Sequence, residues 1–299
     1  MRALFTSVNL IGDGLYIGPA LRAWICQQKE PPEIWLLTLN DQITPLYAGM
    51  VRDILSPEKF HVCFERPFTN EGLKMEFDFE HVFDVNKAFV LSDQRKQHVA
   101  QSYADLLGVG IGAGSEKDGY ANYKPIYIPV MDSITGAALD ELRGCILVSM
   151  FSASCSSRGN PPGPPNKMLL WPKWKPMLRH LRDTYPGVPI RFLGAPTDVV
   201  PDDLLEYGKP MLGIPLNRLA LIMREAKLLV TIDNGMGHLA ATQDTPTCLF
   251  YPRCLGPHYI LPIGNPNMMW CHMDPVQVSP AQLLHFLKYG VAKLEAMKK

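Results

Sequence analysis

The sequence has no excess of charge of either sign and no long hydrophobic run. Lys and Arg together number 29, as do Asp and Glu, so the net charge produces no long-range attraction toward a polyanion. Duplex DNA is therefore not favoured as a partner. No apolar run reaches the ~18 residues that span a bilayer, and the amino-terminal residues show no signal-peptide pattern. We expect a cytoplasmic protein.

Cysteine is also sparse, with seven residues dispersed along the 299 positions. An odd, scattered set is not the disulfide framework of a small secreted domain, so we expect reduced thiols. The nearest approach to a metal cluster is Cys254, His258, Cys271 and His272. Adjacent residues rarely both reach one tetrahedral ion, so the sequence predicts no metal site.

The composition is that of a globular protein, with 47% hydrophobic and 19% charged residues. A chain of 299 residues usually divides into two domains. Short apolar runs alternate with helix-period stretches, which indicates an α/β fold with parallel sheets. We predict two doubly wound, Rossmann-like domains over residues 1–128 and 129–275. A closing helix within 276–299 is a candidate to pack back on the first domain.

Local patterns predict the individual elements. In the first half the predicted strands are Ala3–Val8, Ile34–Leu39, Phe60–Phe64 and Ala88–Leu91, and the helices Leu15–Gln28 and Gln97–Leu107. In the second half the strands are Cys145–Met150, Ile190–Leu193, Leu228–Ile232 and Thr247–Phe250, and the helices Lys173–Thr184, Leu216–Ala226 and Gly237–Thr242. Ser279 and Gln282 form a capping-box pattern that begins the closing helix.

The first candidate site is Gly12-Asp13-Gly14, between the first predicted strand and helix. Glycines permit close ligand approach, and a helix start offers free N–H groups to an anion. A dinucleotide fingerprint is one interpretation, although the carboxylate of Asp13 would repel a pyrophosphate. Asp13 could instead be a general base, or a simple N-cap that stabilises the helix.

The second candidate site is the segment Asp233–His238, which follows strand Leu228–Ile232 and leads directly into a helix of small residues. Ligands of open α/β sheets lie beyond the carboxyl ends of the strands. Gly235 and Gly237 with a helix start could hold a diphosphate through backbone N–H groups, and His238 could donate to a phosphate oxygen. A plain strand-turn-helix with a packed core histidine is the alternative.

These two segments resemble the signatures of the heptosyltransferases, glycosyltransferase family nine. The first signature is Gly12-Asp13 with Pro19-Ala20-Leu21, and the second is Asp233-Asn234-Gly235-Met236-Gly237-His238-Leu239-Ala240-Ala241. The resemblance implies a GT-B architecture, with Asp13 as the catalytic base and Asp233, Gly235 and His238 in the donor-binding motif. Asn234 stands where Ser or Thr is commoner, and it could bind phosphate or cap the helix.

The same resemblance points to two cations for the donor phosphates. The family places a Lys shortly before a Trp-Pro pair, and here Lys167 precedes Trp171-Pro172 at a wider gap, while Arg158 is a competing choice. Solvated loop charges are the alternative for both. From Arg158 to Arg191 the chain carries seven Lys and Arg residues and one acidic residue, which could line the donor side or a wet helix face.

We therefore expect an inverting glycosyltransferase that needs no metal. It would move a sugar from a nucleoside-diphosphate sugar to an acceptor hydroxyl, such as that of a lipopolysaccharide core sugar, another glycan, or a modified nucleobase. If the acceptor is a lipopolysaccharide core sugar, we expect peripheral contact with the inner membrane. The alternatives are a nucleotide-sugar epimerase of the same fold, an NAD(P)-dependent oxidoreductase using the first glycine segment, and a non-catalytic nucleotide-sugar-binding protein.

Overall fold

The computed structural model describes residues 1–6, 11–38, 49–64, 78–110, 125–129, 142–152, 169, 171–252, 261–262 and 264–297, with the backbone alone at 11–13, 38 and 64. The chain divides into two compact units. The first is Met1–Val130 together with His258–Gly264, and the second is Met131–Pro257 together with Asn265–Lys299. A short stretch late in the chain thus belongs to the first unit.

The first unit contains a four-stranded parallel sheet. Its strands are β1 (Arg2–Thr6), β2 (Glu33–Thr38), β3 (Phe60–Phe64) and β4 (His81–Asp84), in the order β3-β2-β1-β4. The order reverses between β1 and β4, so a crevice opens at the carboxyl ends of these two strands. A helix follows β1 along the chain, as the alternation of strand and helix patterns in the sequence predicts.

The helices of this unit whose bounds are described include α1 (Ile11–Gln27), α2 (Lys87–Arg95) and α3 (Val99–Leu107). The predicted strand Ala88–Leu91 is wrong, because this segment lies in α2 and buries Ala88 and Ser92, which are one helical turn apart. The strand is instead β4, immediately before it. The predicted end of the next helix at Leu107 is confirmed, and Gly108 caps it with a φ of 66° in the left-handed region.

The second unit contains a six-stranded parallel sheet. Its strands are β5 (Ile146–Ser149), β6 (Ile190–Gly194), β7 (Lys209–Leu212), β8 (Leu228–Ile232), β9 (Thr247–Pro252) and β10 (Met268–Met273), in the order β10-β9-β8-β5-β6-β7. The switch point of this sheet is between β5 and β8. The sequence analysis predicted β5, β6, β8 and β9 but missed the edge strands β7 and β10.

The helices of the second unit are α4 (Trp171–Thr184), α5 (Leu216–Glu225), α6 (Gly235–Thr242) and α7 (Pro280–Met297). Helices α4 and α7 cover one face of the sheet. The core between them includes the fully buried Trp174 and Phe250, which meet edge to face with their ring centroids 6.3 Å apart, and Leu287. The apolar side chains of alternate strand positions supply the other half of this core.

Helix α7 begins at the capping box that the sequence predicts. The Gln282 backbone N–H donates to the Ser279 hydroxyl at 3.2 Å, and the Ser279 N–H donates to Gln282 Oε1 at 2.9 Å. A buried lysine joins α4 to the turn that precedes α7, because Lys173 Nζ donates to the carbonyls of Pro275 and Val276, both at 2.8 Å. The structure thus describes α7 packed within the second unit.

None of the helices in the described ranges combines the length and the apolar character needed to span a bilayer.

Candidate functional site

The segment Asp233–His238 lies at the switch point of the second sheet. Strand β8 ends at Ile232, Asp233 follows with 1% of its surface exposed, and helix α6 starts at Gly235. This placement agrees with the predicted position outside the carboxyl end of a strand. The strand order also shows that the end of β5 lies across the crevice from this segment. The periodicity of the sequence could not predict this.

Asn234 is the N-cap of α6. Its backbone is extended, with φ −158° and ψ 178°, and its Oδ1 accepts the Met236 N–H at 2.9 Å. The Gly237 N–H is also used, since it donates to the Asn234 carbonyl at 3.2 Å. Among the described residues no hydrogen-bond acceptor is assigned to the Gly235 N–H, which is the first of α6 and stands at the positive end of the helix.

The remaining residues of the segment differ in accessibility. Asn234, Gly235 and Met236 are partly exposed, whereas Gly237 and His238 are buried. His238 is 6% exposed and lies in the first turn of α6. A hydrogen bond donated by its imidazole to an anion there would act together with the helix dipole. The segment therefore combines one open backbone N–H, a helix start and a nearby imidazole, which is a set of groups suited to a phosphate.

The first candidate segment lies at the corresponding place in the first unit. Asp13 is the third residue of α1, and Gly12 and Gly14 flank it in the first turn. The N-cap interpretation of Asp13 is wrong, because an N-cap precedes the helix and has non-helical dihedral angles. Of these three residues the structure describes the surroundings of Gly14 alone, which is buried.

Gly18, four residues after Gly14 in α1, allows close packing against another part of the protein. A Cβ atom at this position would lie 2.7 Å from Met50 Sδ. Close packing of α1 against Met50 thus accounts for this glycine without any ligand.

The two candidate cations, Lys167 and Arg158, lie outside the described residues. The described part of the basic segment does not form one continuous lining. Lys173 binds two carbonyls, Lys175 pairs with Asp203 at 2.6 Å, and the guanidinium of Arg182 lies 4.9 Å from the ring centroid of Tyr207.

Arg191 lies in a different part of the second unit. With Arg218 it lines a pocket of about 280 Å³ that is bounded by residues of β7 and α5. Arg191 is the second residue of β6, near the strand's amino end, so this pocket is separate from the carboxyl edge that carries Asp233–His238.

Within the ranges that the structure describes, no three His, Cys, Asp or Glu side chains lie close enough together to hold a metal ion. Cys254 and His258 lie outside those ranges. All five described cysteines are free thiols, and burial raises the pKa of Cys248 and of Cys271 to about 12.

The functional contacts that sequence reasoning missed are the partners of Asn234. Its Nδ2 donates to Ser149 Oγ and to the Phe151 carbonyl, both at 2.8 Å. Ser149 ends β5, more than 80 residues away along the chain. No local pattern marks such a pair, because the adjacency of β5 and β8 is a property of the sheet order alone.

Comparison with known proteins gives structural matches without sequence matches. Neither the protein-family models nor the curated proteins include one that matches this sequence. The structure of E. coli ADP-heptose LPS heptosyltransferase II matches at 14% identity and a TM-score of 0.64, over 99% of this chain and 100% of that one. A glycosyltransferase of family 9 from Veillonella parvula matches at 14% identity and a TM-score of 0.67, over 98% and 97%.

A third similar structure is E. coli heptosyltransferase WaaC with ADP, at 15% identity and a TM-score of 0.55, over 97% of this chain and 100% of that one. At these identities the likeness shows the fold. The predicted fold class, GT-B with two Rossmann-like α/β domains, is confirmed.

Proposed function

We propose that this protein is a glycosyltransferase that uses a nucleoside-diphosphate sugar. The observation that carries the proposal is the position of Asp233–His238 at the switch point of the second sheet, in a chain whose fold matches heptosyltransferase structures from end to end. In an open parallel sheet this crevice is the ligand site. The Gly235 N–H and the start of α6 supply the positive potential that a diphosphate requires.

The donor half of the reaction follows from these groups. Negative charge develops on the leaving phosphate as the bond between the anomeric carbon and the phosphate oxygen breaks. The Gly235 N–H and the helix dipole are fixed before the reaction begins, so they stabilise that charge without reorganising. His238 donates a further hydrogen bond to the departing diphosphate. Lys167 or Arg158 supplies the cation, and no metal is needed.

The acceptor half assigns Asp13 as general base. The acceptor oxygen attacks the anomeric carbon from the face opposite the phosphate, so the configuration of the sugar inverts. As the new carbon–oxygen bond forms, the hydroxyl proton passes to the Asp13 carboxylate. The acceptor is a glycan hydroxyl, with a lipopolysaccharide core sugar the first to test, since two of the similar proteins are heptosyltransferases. For such an acceptor we propose peripheral membrane contact.

The first experiment is a thermal-shift panel of ADP, UDP, GDP and their sugars, with and without EDTA. A ligand that binds the native state raises its stability in proportion to ln(1 + [L]/Kd). We expect one base to be preferred and EDTA to make no difference. If none of the nucleotides shifts the unfolding temperature, the protein binds no nucleotide donor and the proposed function fails.

The second experiment separates binding from chemistry. Asp13→Asn should lower the rate of sugar transfer by about 100-fold or more while the Kd for the nucleotide stays within about twofold. Asp93→Asn is the control, because Asp93 is a surface residue whose carboxylate pairs with Lys96. Loss of nucleotide binding in the Asp13 variant would rule out the base assignment.

The alternatives give different products. An epimerase would change the donor sugar with no acceptor present, and an oxidoreductase would change the absorbance of NAD(P)H. Binding without any turnover would indicate a non-catalytic nucleotide-sugar-binding protein.

A further inference from the structure

The side chain of Asn234 is fully engaged with its own protein. Its two amide protons go to Ser149 Oγ and to the Phe151 carbonyl, each at 2.8 Å. Its Oδ1 accepts the Met236 N–H at 2.9 Å, and the Thr231 hydroxyl lies 3.2 Å from the same oxygen. A primary amide has two donors and one acceptor oxygen. Both donors are therefore occupied, and the oxygen already has a partner.

These bonds join the two sides of the crevice. Ser149 and Phe151 belong to the end of β5 and the residues after it, whereas Met236 is in the first turn of α6. Because β5 and β8 are neighbours in the sheet, Asn234 closes a bridge across the switch point. The bridge thus fixes the position of Phe151 relative to the first turn of α6.

Few other side chains can make this bridge. Aspartate would keep the cap to Met236 but would place a carboxylate oxygen against the Phe151 carbonyl, where two acceptors repel. Threonine would keep the cap with its single hydroxyl and could not also donate to both partners. Asparagine has both the donors and the acceptor at the required length, which explains its presence where the resemblance leads one to expect Ser or Thr.

We propose that Asn234 is a positioning residue of the donor site, which fixes the end of β5 against the start of α6 and does not itself bind the phosphates. This inference rests on the proposed function, because it assumes that a nucleotide binds at the same crevice. In this inference the Gly235 N–H and its neighbours contact the phosphates. Asn234 fixes the distance between those groups and Phe151.

The test compares nucleotide affinity in matched variants that remain folded. The probes are ADP and UDP, titrated by calorimetry well below the unfolding temperature of each variant. The variants are Asn234→Asp, Asn234→Thr and Ser149→Ala, with the double variant S149A/N234D. Asn217→Asp is the control, because Asn217 also lies at a helix start and its Oδ1 accepts a local N–H, that of Arg218, at 2.9 Å.

We expect N234D and N234T each to weaken nucleotide binding about tenfold, which corresponds to ~1.4 kcal/mol, while N217D leaves it unchanged. S149A should weaken binding about threefold although Ser149 is buried. The double variant should bind no more weakly than N234D, because both changes break the same bridge. This non-additivity is a result that a general loss of stability would not produce.

Two results would overturn the inference. If N234T binds as the wild type does and S149A has no effect or binds more tightly, then Asn234 contacts the phosphates directly and the bridge is incidental. If all the variants bind as the wild type does, the bridge does not position the site. Failure of the wild type to bind either nucleotide is a different outcome, because it removes the proposed function on which the inference rests.

Discussion

Replacing Tyr16 by Phe and His98 by Asn should together destabilise the first unit by more than the sum of the two single effects. Both side chains hold one carbonyl, that of Leu261, in the short late stretch that belongs to this unit. The Tyr16 hydroxyl donates to it at 2.6 Å, and His98 Nε2 lies 3.0 Å from it. His98 Nδ1 accepts the Ala100 N–H at 3.1 Å, so Nε2 carries the proton and is the donor.

The size of the destabilisation depends on how many hydrogen-bond donors the Leu261 carbonyl retains. Tyr16 is 1% exposed, His98 is fully buried and Leu261 is 7% exposed, so water does not readily replace a lost donor. Each single variant leaves the carbonyl one partner and should cost ~1 kcal/mol. Asn at position 98 can still cap α3 through its own oxygen. The double variant leaves a buried carbonyl without a partner, which adds about 1–3 kcal/mol beyond the sum.

Hydrogen–deuterium exchange of a peptide that covers α3 measures the opening free energy of this unit without interference from the other. Tyr289→Phe, an exposed position in α7, is the control and should leave that exchange unchanged. If the two single effects add to within ~0.5 kcal/mol, the shared carbonyl does not hold the stretch, and the reasoning is refuted.

Three further predictions concern single side chains. The hydrogen bond from Arg22 holds the pKa of Asp53 below its usual value, so this pair stabilises the fold above pH ~4 and ceases to do so as the pH falls through the lower folded-state pKa. Because the Asp53 carboxylate is 41% exposed, Asp53→Asn should cost only ~0.5 kcal/mol at pH 7, and this cost, measured by urea unfolding, should shrink as the pH is lowered below ~4. Burial raises the pKa of Cys248 to about 12, so iodoacetamide at pH 8 should alkylate it at least ~100-fold more slowly than the exposed Cys26. Lys173→Met should lower the free energy of unfolding by ~2 kcal/mol, because two buried carbonyl contacts lose a charged donor.

The fold class could be predicted from the sequence because strands that are buried on both faces appear in it as short apolar runs. A central parallel strand such as Leu228–Ile232 is buried at every position, with four of its five residues apolar, and is predicted to the residue. The edge strand Lys209–Leu212 is exposed at two of its four positions, so its apolar signal is weak and it was missed. Segment Ala88–Leu91 shows the converse, since a short apolar run does not distinguish a strand from one face of a helix.

The candidate site divides in the same way. Motif spacing and the resemblance identified Asp233–His238 as a turn between strand and helix, and the structure confirms that local geometry. The role of Asn234 could not be obtained from the same residues. The sequence is compatible with both phosphate binding and helix capping by Asn234. The contact of its amide with Ser149 at 2.8 Å, which separates the two roles, is seen only in the structure.

Strand, helix, turn and capping box were thus determined by the residues themselves, because backbone preference and the burial period act over a few neighbouring positions. The order of the strands, the bridge from Asn234 to the end of β5 and the grip on the Leu261 carbonyl were decided only by the tertiary structure. The last two join groups from 83 to 245 residues apart, and a contact between distant residues exists only after the chain has packed.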